Sequence, residues 1–397
     1  MRVCVITTSF PRSIDDYSGV FIFRLCRSMA ALNVDIDVVA PADERGSPPL
    51  ARLGPCHVHR FSYFFPRRWQ KLGYGPGGIP ANLNRTPFLL FQVPFFVLSF
   101  LLKAYRVAGK ADLIHAHWVY SGWIGWAVSG LRGIPFIVTL RGEDVLRARK
   151  NGMTFSFSIW ILKRASMVTT VNEEFRNWLI SEGFPEERVV FIRNGVHSEE
   201  KRGDAPLSSA CRLLFVGSLI PRKGVRYLLE AFSRVIRQED KVKLVLIGDG
   251  EERELLQEQV EREGIGGFVE FVGIRPADEI SRWMHLSDGL VLPSLWEGTP
   301  NVVLEAMASG LPVVVSDLPG IREFISDGVN GFLVKPQDVD DLANKLLRVV
   351  RDQALRRRVG ESAQQTISKM NLGWEQVAKR YSEIYQKICA GSRESTI

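Results

Sequence analysis

Two carboxylates, Glu297 and Glu305, mark the start of a helix in the run P-S-L-W-E-G-T-P-N-V-V-L-E-A-M-A-S-G-L-P-V-V-V-S-D-L-P-G, residues 293–320. The pattern predicts an apolar strand over 289–292, a loop, a helix over about 301–309 and a buried strand over 312–316, with Gly310 ending the helix. Gly298, Thr299 and Pro300 are small or turn-forming, so backbone N–H groups at Asn301 can point at a ligand. A helix N-terminus, with the positive end of its dipole, is an anion site. Glu297 stands at its mouth and Glu305 inside the helix. That combination suits hydroxyls on either side of a phosphate, which is the chemistry of a sugar nucleotide. By themselves, two such glutamates would be a loop charge and a solvated helix carboxylate. The flanking T-P-N-V-V-L and A-M-A-S-G-L-P-V-V-V give them weight.

Positive charge is supplied by C-R-L-L-F-V-G-S-L-I-P-R-K-G-V-R-Y-L-L-E-A-F, which starts at Cys211. A buried strand runs into Gly217, a loop carries Arg222 and Lys223, and Gly224 opens a helix. Strand, glycine, cation and helix in that order is how α/β folds hold phosphates. It is not a Walker loop, since G-x-x-x-x-G-K-[ST] is absent. After the strand at 243–247, Gly248 and Gly250 form a G-x-G without the third glycine of a dinucleotide fingerprint.

Residues 293–320 closely resemble the nucleotide-sugar-binding motif of the retaining glycosyltransferases of family four, and the likeness extends over nearly the whole chain, most strongly over 211–336. The resemblance implies a GT-B fold: two Rossmann-like, doubly wound α/β domains facing across a cleft. It implies an N-terminal acceptor-side domain over 1–197, a linker over 198–210, and a nucleotide-sugar-binding domain over 211–373. The last helix, 374–390, is expected to return to the first domain. Glu297 would contact the donor sugar and Glu305 the ribose. Lys223 would neutralise the leaving diphosphate. Ser218 replaces the family's arginine, and Arg222 beside Lys223 would supply the missing charge. Gly217, Gly248, Gly298, Thr299, Pro300 and Asn301 would line the donor site.

The first half alternates strands and helices, as doubly wound domains do. Its first strand leads through F-P-R-S-I-D-D-Y-S-G to a helix at Val20. Ligands in such sheets bind beyond the carboxyl ends of strands. Gly19 would therefore let backbone approach a ligand, and Arg12 could meet an anion. Asp35-Ile36-Asp37 reads as strand and not as a metal site. Residues 41–87 read as irregular loops with one short strand around 56–61. H-A-H-W places His115 and His117 on one face of a strand end, His117 being the one expected to face ligand. Zinc is not expected there: the chain has six histidines and no Cys pair nearby. T-L-R-G-E-D-V puts Arg141 where many family members have histidine. An arginine cannot be a general base, but it can bind phosphate, or it can pair with Glu143 or Asp144. N-G-V-H at 194–197 resembles the family's hinge-side N-G-V-D, with His197 in place of Asp.

At 397 residues two domains are expected, and the 46% hydrophobic and 24% charged fractions are those of a globular protein. The net charge of +7 suits anionic partners. Nucleic acid is not expected, for no helix-turn-helix, zinc-finger or RNP signature accompanies it. Five scattered cysteines suit a reducing compartment, and the N-terminus enters a strand without a signal peptide. The apolar run at 88–102 reads as a buried core helix kinked at Pro94, with an interfacial membrane segment as the rival.

The expected activity is transfer of a sugar from a nucleotide-diphosphate sugar to an acceptor hydroxyl, with retention, no metal and no cofactor beyond the donor. The acceptor would be a sugar or lipid-linked sugar in cell-surface polysaccharide or glycolipid synthesis, in the cytoplasm or at the inner face of the cell membrane. A nucleotide-sugar epimerase and a non-catalytic binding subunit of a polysaccharide-assembly complex are the alternatives.

Overall fold

The structure is a computed structural model that describes residues 1–13, 16, 18–42, 52–73, 78–141, 152–196 and 210–394. The calls on Glu143, Asp144, His197 and nearly all of the linker fall outside these residues. The chain forms two compact units, Met1–Gly195 with Trp374–Ile397, and Val196–Gly373.

The first unit is built on eight strands: β1 (Arg2–Ile6), β2 (Asp35–Pro41), β3 (Arg52–Leu53), β4 (Cys56–Phe61), β5 (Leu113–His117), β6 (Phe136–Leu140), β7 (Met167–Thr170) and β8 (Val189–Phe191). Their order is β3-β4-β2-β1-β5-β6-β7-β8. All pairings are parallel except that of β3 with β4. Strand order reverses between β1 and β5, so the loops leaving those two strands diverge and leave a crevice there. Val3 and Val5 of β1 join a core with Ile22, Phe23 and Met29 of α1 (Val20–Ala30). Ile6 points the other way, toward Gly125 of α4 (Val119–Arg132), as the two-residue period of a strand requires. On that second side α3 (Val93–Val107), α4 and α5 (Gly152–Leu162) pack side by side, and α6 (Glu173–Ser181) packs on β7 and β8. The final helix, α14 (Trp374–Glu394), packs on α1 and places Trp374, Tyr381 and Tyr385 in the first unit's core.

Three expectations for this half change. Residues 41–87 hold, besides the strand at 56–61, the short β3 and a helix, α2 (Gly78–Arg85). Pro94 makes no kink: a 3-10 turn, Pro87–Gln92, runs into α3, and Pro94 sits in the first turn of α3, where its missing N–H and fixed φ do no harm. Nor is the run a buried core helix. Gln92, Phe96, Phe100 and Ala104 face inward at four-residue spacing, while Phe88, Phe91, Phe95, Leu98 and Leu102 are exposed.

In the second unit six parallel strands, β9 (Cys211–Val216), β10 (Val242–Ile247), β11 (Val269–Gly273), β12 (Gly289–Leu292), β13 (Val313–Ser316) and β14 (Phe332–Val334), lie in the order β11-β10-β9-β12-β13-β14. This is the Rossmann order, and it reverses between β9 and β12. The strands are near-continuous Val, Ile and Leu because helices cover both faces: α7 (Val225–Ile236), α8 (Arg253–Arg262), α9 (Ala277–His285), α10 (Asn301–Ala308), α11 (Pro319–Arg322), α12 (Val339–Arg351) and α13 (Gln353–Met370).

Candidate active site

In the second unit, the loops leaving β9 and β12 bring the main charged groups together. The β9 loop ends in a 3-10 turn, Pro221–Lys223, closed by Gly224 at φ 66°. A Cβ on Gly224 would lie 2.2 Å from the Pro293 carbonyl oxygen, so only glycine lets the two loops touch. The Leu295 N–H then donates to the Arg222 carbonyl at 2.8 Å. Arg222 donates from Nη1 to the Trp296 carbonyl at 3.1 Å, with its guanidinium 5.6 Å from the Trp296 ring centre.

That framework delivers Lys223 Nζ to Glu297 Oε1 at 2.6 Å, and Ser294 Oγ donates to the same oxygen at 2.6 Å. Arg222 Nη1 lies 3.6 Å from Oε2. The side chains of Glu297 and Lys223 are only 7% and 14% exposed, which makes this a desolvated ion pair. Burial pushes the Glu297 carboxyl up. The charges of Lys223 and Arg222, with hydrogen bonds from Lys223 and Ser294, more than offset that, so it is held below the ordinary carboxylate range and ionised at neutral pH. Ser294 was missed at the sequence level: nothing about a serine three residues before a glutamate reveals that their side chains meet.

Gly217 and Gly248 serve their own chain first. Gly248, at φ 141°, passes so close beneath Gly217 that a Cβ would lie 1.9 Å from the Gly217 oxygen. Gly217 N–H donates to the Ile247 carbonyl and Leu219 N–H to that of Asp249, both at 3.0 Å. The loops after β9 and β10 are thereby nested, and the Lys223 Cε comes within 3.7 Å of the position a Gly217 Cβ would take.

Helix α10 starts as expected. Gly298 is buried, Thr299 half-buried, Pro300 is the N-cap and Asn301 the first helical residue. Pro300 has no side-chain acceptor, so the first-turn N–H groups receive no cap from it. Glu305 is half-buried in the second turn. The helix ends in a Schellman motif: Gly310 N–H donates to Met307 and Leu311 N–H to Ala306, with Gly310 at φ 76°.

The first unit's candidates form a different constellation. Gly19 caps α1 at φ 68°, and its close approach is to the Ser9 carbonyl, 2.4 Å from where a Cβ would lie, so in this chain the glycine serves the loop itself. Arg12 is tied to Asp16 at 2.6 Å. Arg60, which the sequence did not single out, donates to the carbonyls of Phe10 and Pro11 and fixes the loop after β1. Asp37 meets His59 at 2.7 Å and Arg2 at 3.7 Å.

His115 and His117 share one face of β5, ring centres 4.2 Å apart, as a two-residue spacing requires. Both imidazoles are fully buried. His115 bonds Tyr385 Oη at 2.6 Å and Thr139 Oγ1 at 2.7 Å. Burial, with Arg141 adding to it, lowers its pKa to about 3. His117 is also held well below the usual imidazole range, by burial, then by His115 and Arg141. Arg141 Nη2 lies 3.0 Å from His117 Nδ1. A guanidinium can only donate, so Nδ1 accepts and the neutral ring carries its proton on Nε2. Among the described residues that buried Nε2 has no hydrogen-bond partner. Arg141 also bonds the Asn194 side chain and covers the Phe21 ring at 4.6 Å.

The family model described as "Glycosyl transferases group 1" matches residues 198–366, and "Glycosyl transferase 4-like domain" matches residues 18–195. D-inositol 3-phosphate glycosyltransferase of Streptosporangium roseum is 26% identical over 92% of this chain and 87% of its own. An uncharacterized glycosyltransferase of Methanocaldococcus jannaschii is 28% identical over 73% of this chain and 81% of its own. Among solved structures, sucrose-phosphate synthase of Thermosynechococcus elongatus superposes with TM-score 0.79 at 21% identity, over 98% of this chain and 100% of that one. Anabaena HepE in complex with UDP-glucose superposes with TM-score 0.74 at 20% identity, over 98% and 100%. These are GT-B folds, as this chain is. With two family models matched end to end from residue 18 to residue 366, the chain belongs to the group 1 glycosyl transferases.

Proposed function

We propose that this glycosyltransferase moves a sugar from a nucleoside-diphosphate sugar to an acceptor hydroxyl with retention of anomeric configuration. The observation that carries the reading is the Lys223–Glu297 pair, 2.6 Å apart and beside Arg222, where strand order reverses in the second sheet. The likeness to a fold solved with UDP-glucose supports it.

In this reading the diphosphate lies against Lys223, Arg222 and the first-turn amides of α10. Breaking the bond between sugar and phosphate leaves negative charge on the departing oxygen. Fixed cations in a desolvated setting stabilise that charge more than they stabilise the intact donor, which is the condition for catalysis. Glu297, ionised and pinned by Ser294 and Lys223, accepts hydrogen bonds from sugar hydroxyls and orients the ring. It does not attack. Glu305 takes the ribose hydroxyls. The donor's phosphate oxygen accepts the acceptor's proton, and Lys223 and Arg222 carry the charge without a metal requirement. The setting is synthesis of a cell-surface polysaccharide or glycolipid, on the cytoplasmic side.

Thermal-shift titration with UDP- and GDP-sugars tests the donor site, since a ligand of the native state raises the melting temperature. The expected result is a shift with one donor class that Lys223→Ala removes. Transfer should persist in EDTA, and NMR of the product should show the donor's anomeric configuration. No shift with any nucleotide sugar would defeat the reading. Donor conversion to its epimer without acceptor would replace it.

A further inference from the structure

We infer that the α3–α4–α5 side of the first unit is a membrane-docking surface that inserts flat into the interface of an anionic bilayer. The inference is independent of the transfer reaction, and nothing in the donor site enters into it.

Apolar exposure is concentrated here. Phe65 is 88% exposed, Phe88 81%, Phe91 57% and Leu98 55%, and Phe95 and Leu102 extend the same ridge. The rings support one another: Phe64 meets Phe95 edge-on at 5.7 Å, Phe91 meets Phe95 at 5.6 Å, and Phe88 stacks on Phe91 at 6.3 Å. A shallow pocket of about 590 Å³ opens among Ser62, Tyr63, Phe64, Phe65, Arg67 and Phe95. Tyr120 and Leu131 of α4 and Phe157 and Trp160 of α5 continue the exposed apolar surface along the same layer. An exposed apolar surface of this extent marks an interaction site.

Charge identifies the occupant. Between Glu44 and Glu143 the sequence has twelve Lys and Arg and a single carboxylate, Asp112. Asp112 is engaged at the Arg2 amide, at 2.8 Å. Exposed Arg67, Arg68, Lys71, Arg85, Arg106 and Lys110 border the ridge. An aromatic ridge with a basic rim and no carboxylate to repel headgroup phosphates complements an anionic lipid surface. The 24-residue stretch Pro87–Lys110 is long and apolar enough to cross a bilayer. It does not span here: its Gln92–Phe96–Phe100–Ala104 stripe is packed inside the domain, with α3 against α4, β2 and β4. Only its outer face remains for lipid, so the helix lies in the plane of the interface.

Flotation of the full chain with vesicles decides it. With phosphatidylcholine containing about 30 mol% phosphatidylglycerol the protein should float, and with phosphatidylcholine alone its partition should fall by about tenfold. The double substitution Phe88→Ser/Phe91→Ser should weaken anionic binding by at least about tenfold with the melting temperature and nucleotide-sugar binding unchanged. Arg67→Glu/Arg68→Glu, which touches no core residue, should weaken it on anionic vesicles alone. Wild-type protein that stays at the bottom with both vesicle types overturns the inference. So does a wild-type dimer that fails to float and that Phe88→Ser/Phe91→Ser turns into monomer, for the occupant would then be a second copy of the chain.

Discussion

Lys223 and Glu297 are 74 residues apart in sequence and 2.6 Å apart in space, on loops leaving two neighbouring strands of one sheet. β9 and β12 pair at Gly289↔Leu213 and Leu290↔Leu214, and every residue of the charged cluster follows from that adjacency. Removing either partner strands the other in a desolvated site.

Glu297→Gln keeps the shape and removes the charge. It is expected to lower kcat/KM by at least about 100-fold. Glu297→Ala should also destabilise the second unit by about 3–5 kcal/mol, because Lys223 loses its counter-charge. Steady-state kinetics and denaturant unfolding check the two effects, and a Ser294→Ala variant should show a weaker version of both.

Gly248→Ala tests whether the nested loops position Lys223. The new methyl would lie 1.9 Å from the Gly217 oxygen, on a backbone at φ 141°. A cost of at least about 2 kcal/mol is expected, with donor affinity falling as the β9 loop shifts. Gly264→Ala is a control for the strain alone: it too has positive φ, but nothing lies within 4 Å of its Cβ. It should cost less and leave donor affinity unchanged.

Acid should destabilise the first unit before its carboxylates titrate. His115 has a folded pKa of about 3 against an ordinary 6.5, so between those values the unfolded chain binds a proton that the folded one refuses. Stability is therefore full above about pH 6.5 and declines as pH falls toward 3, by about 1.4 kcal/mol per pH unit for each such imidazole. His117, depressed for the same reason, acts in the same direction. Glu297, whose pKa is lowered from the ordinary 4.5, contributes in full above that value and loses its contribution as pH falls below it. Unfolding free energies measured from pH 8 to about pH 5 should stay level down to about pH 6.5 and then fall with this slope, and His115→Gln should flatten it.

Gly195→Ala should loosen the last helix. A Cβ there would lie 2.5 Å from Trp374 Cδ2, where the indole seats α14 in the first unit's core. Hydrogen exchange in α14 should rise more than in α1, with the second unit unaffected. Equal α14 exchange in Gly195→Ala and the wild type would mean that the His115–Tyr385 bond and the Tyr381 contacts hold α14 by themselves.

The sequence by itself determined the local structure and the types of group at the donor loops. Runs of Val, Ile and Leu punctuated by glycine placed the strand at 289–292, and the α10 helix with its Gly310 stop was legible because capping is a property of a few neighbouring residues. The carboxylates and cations were visible for the same reason, as were two alternating α/β halves. Tertiary structure alone decided which of them meet. The bond of Ser294 to Glu297 and the insertion of Trp374 against Gly195 depend on strand order and long-range packing, which no local pattern encodes. It also decided what is buried. His117 stands at a strand end, and it is the packing around β5 that buries its ring and brings Arg141 to its Nδ1. The run at 88–102 looked like core, yet half of it faces outward, because burial depends on what packs against a helix and not on how apolar the helix is.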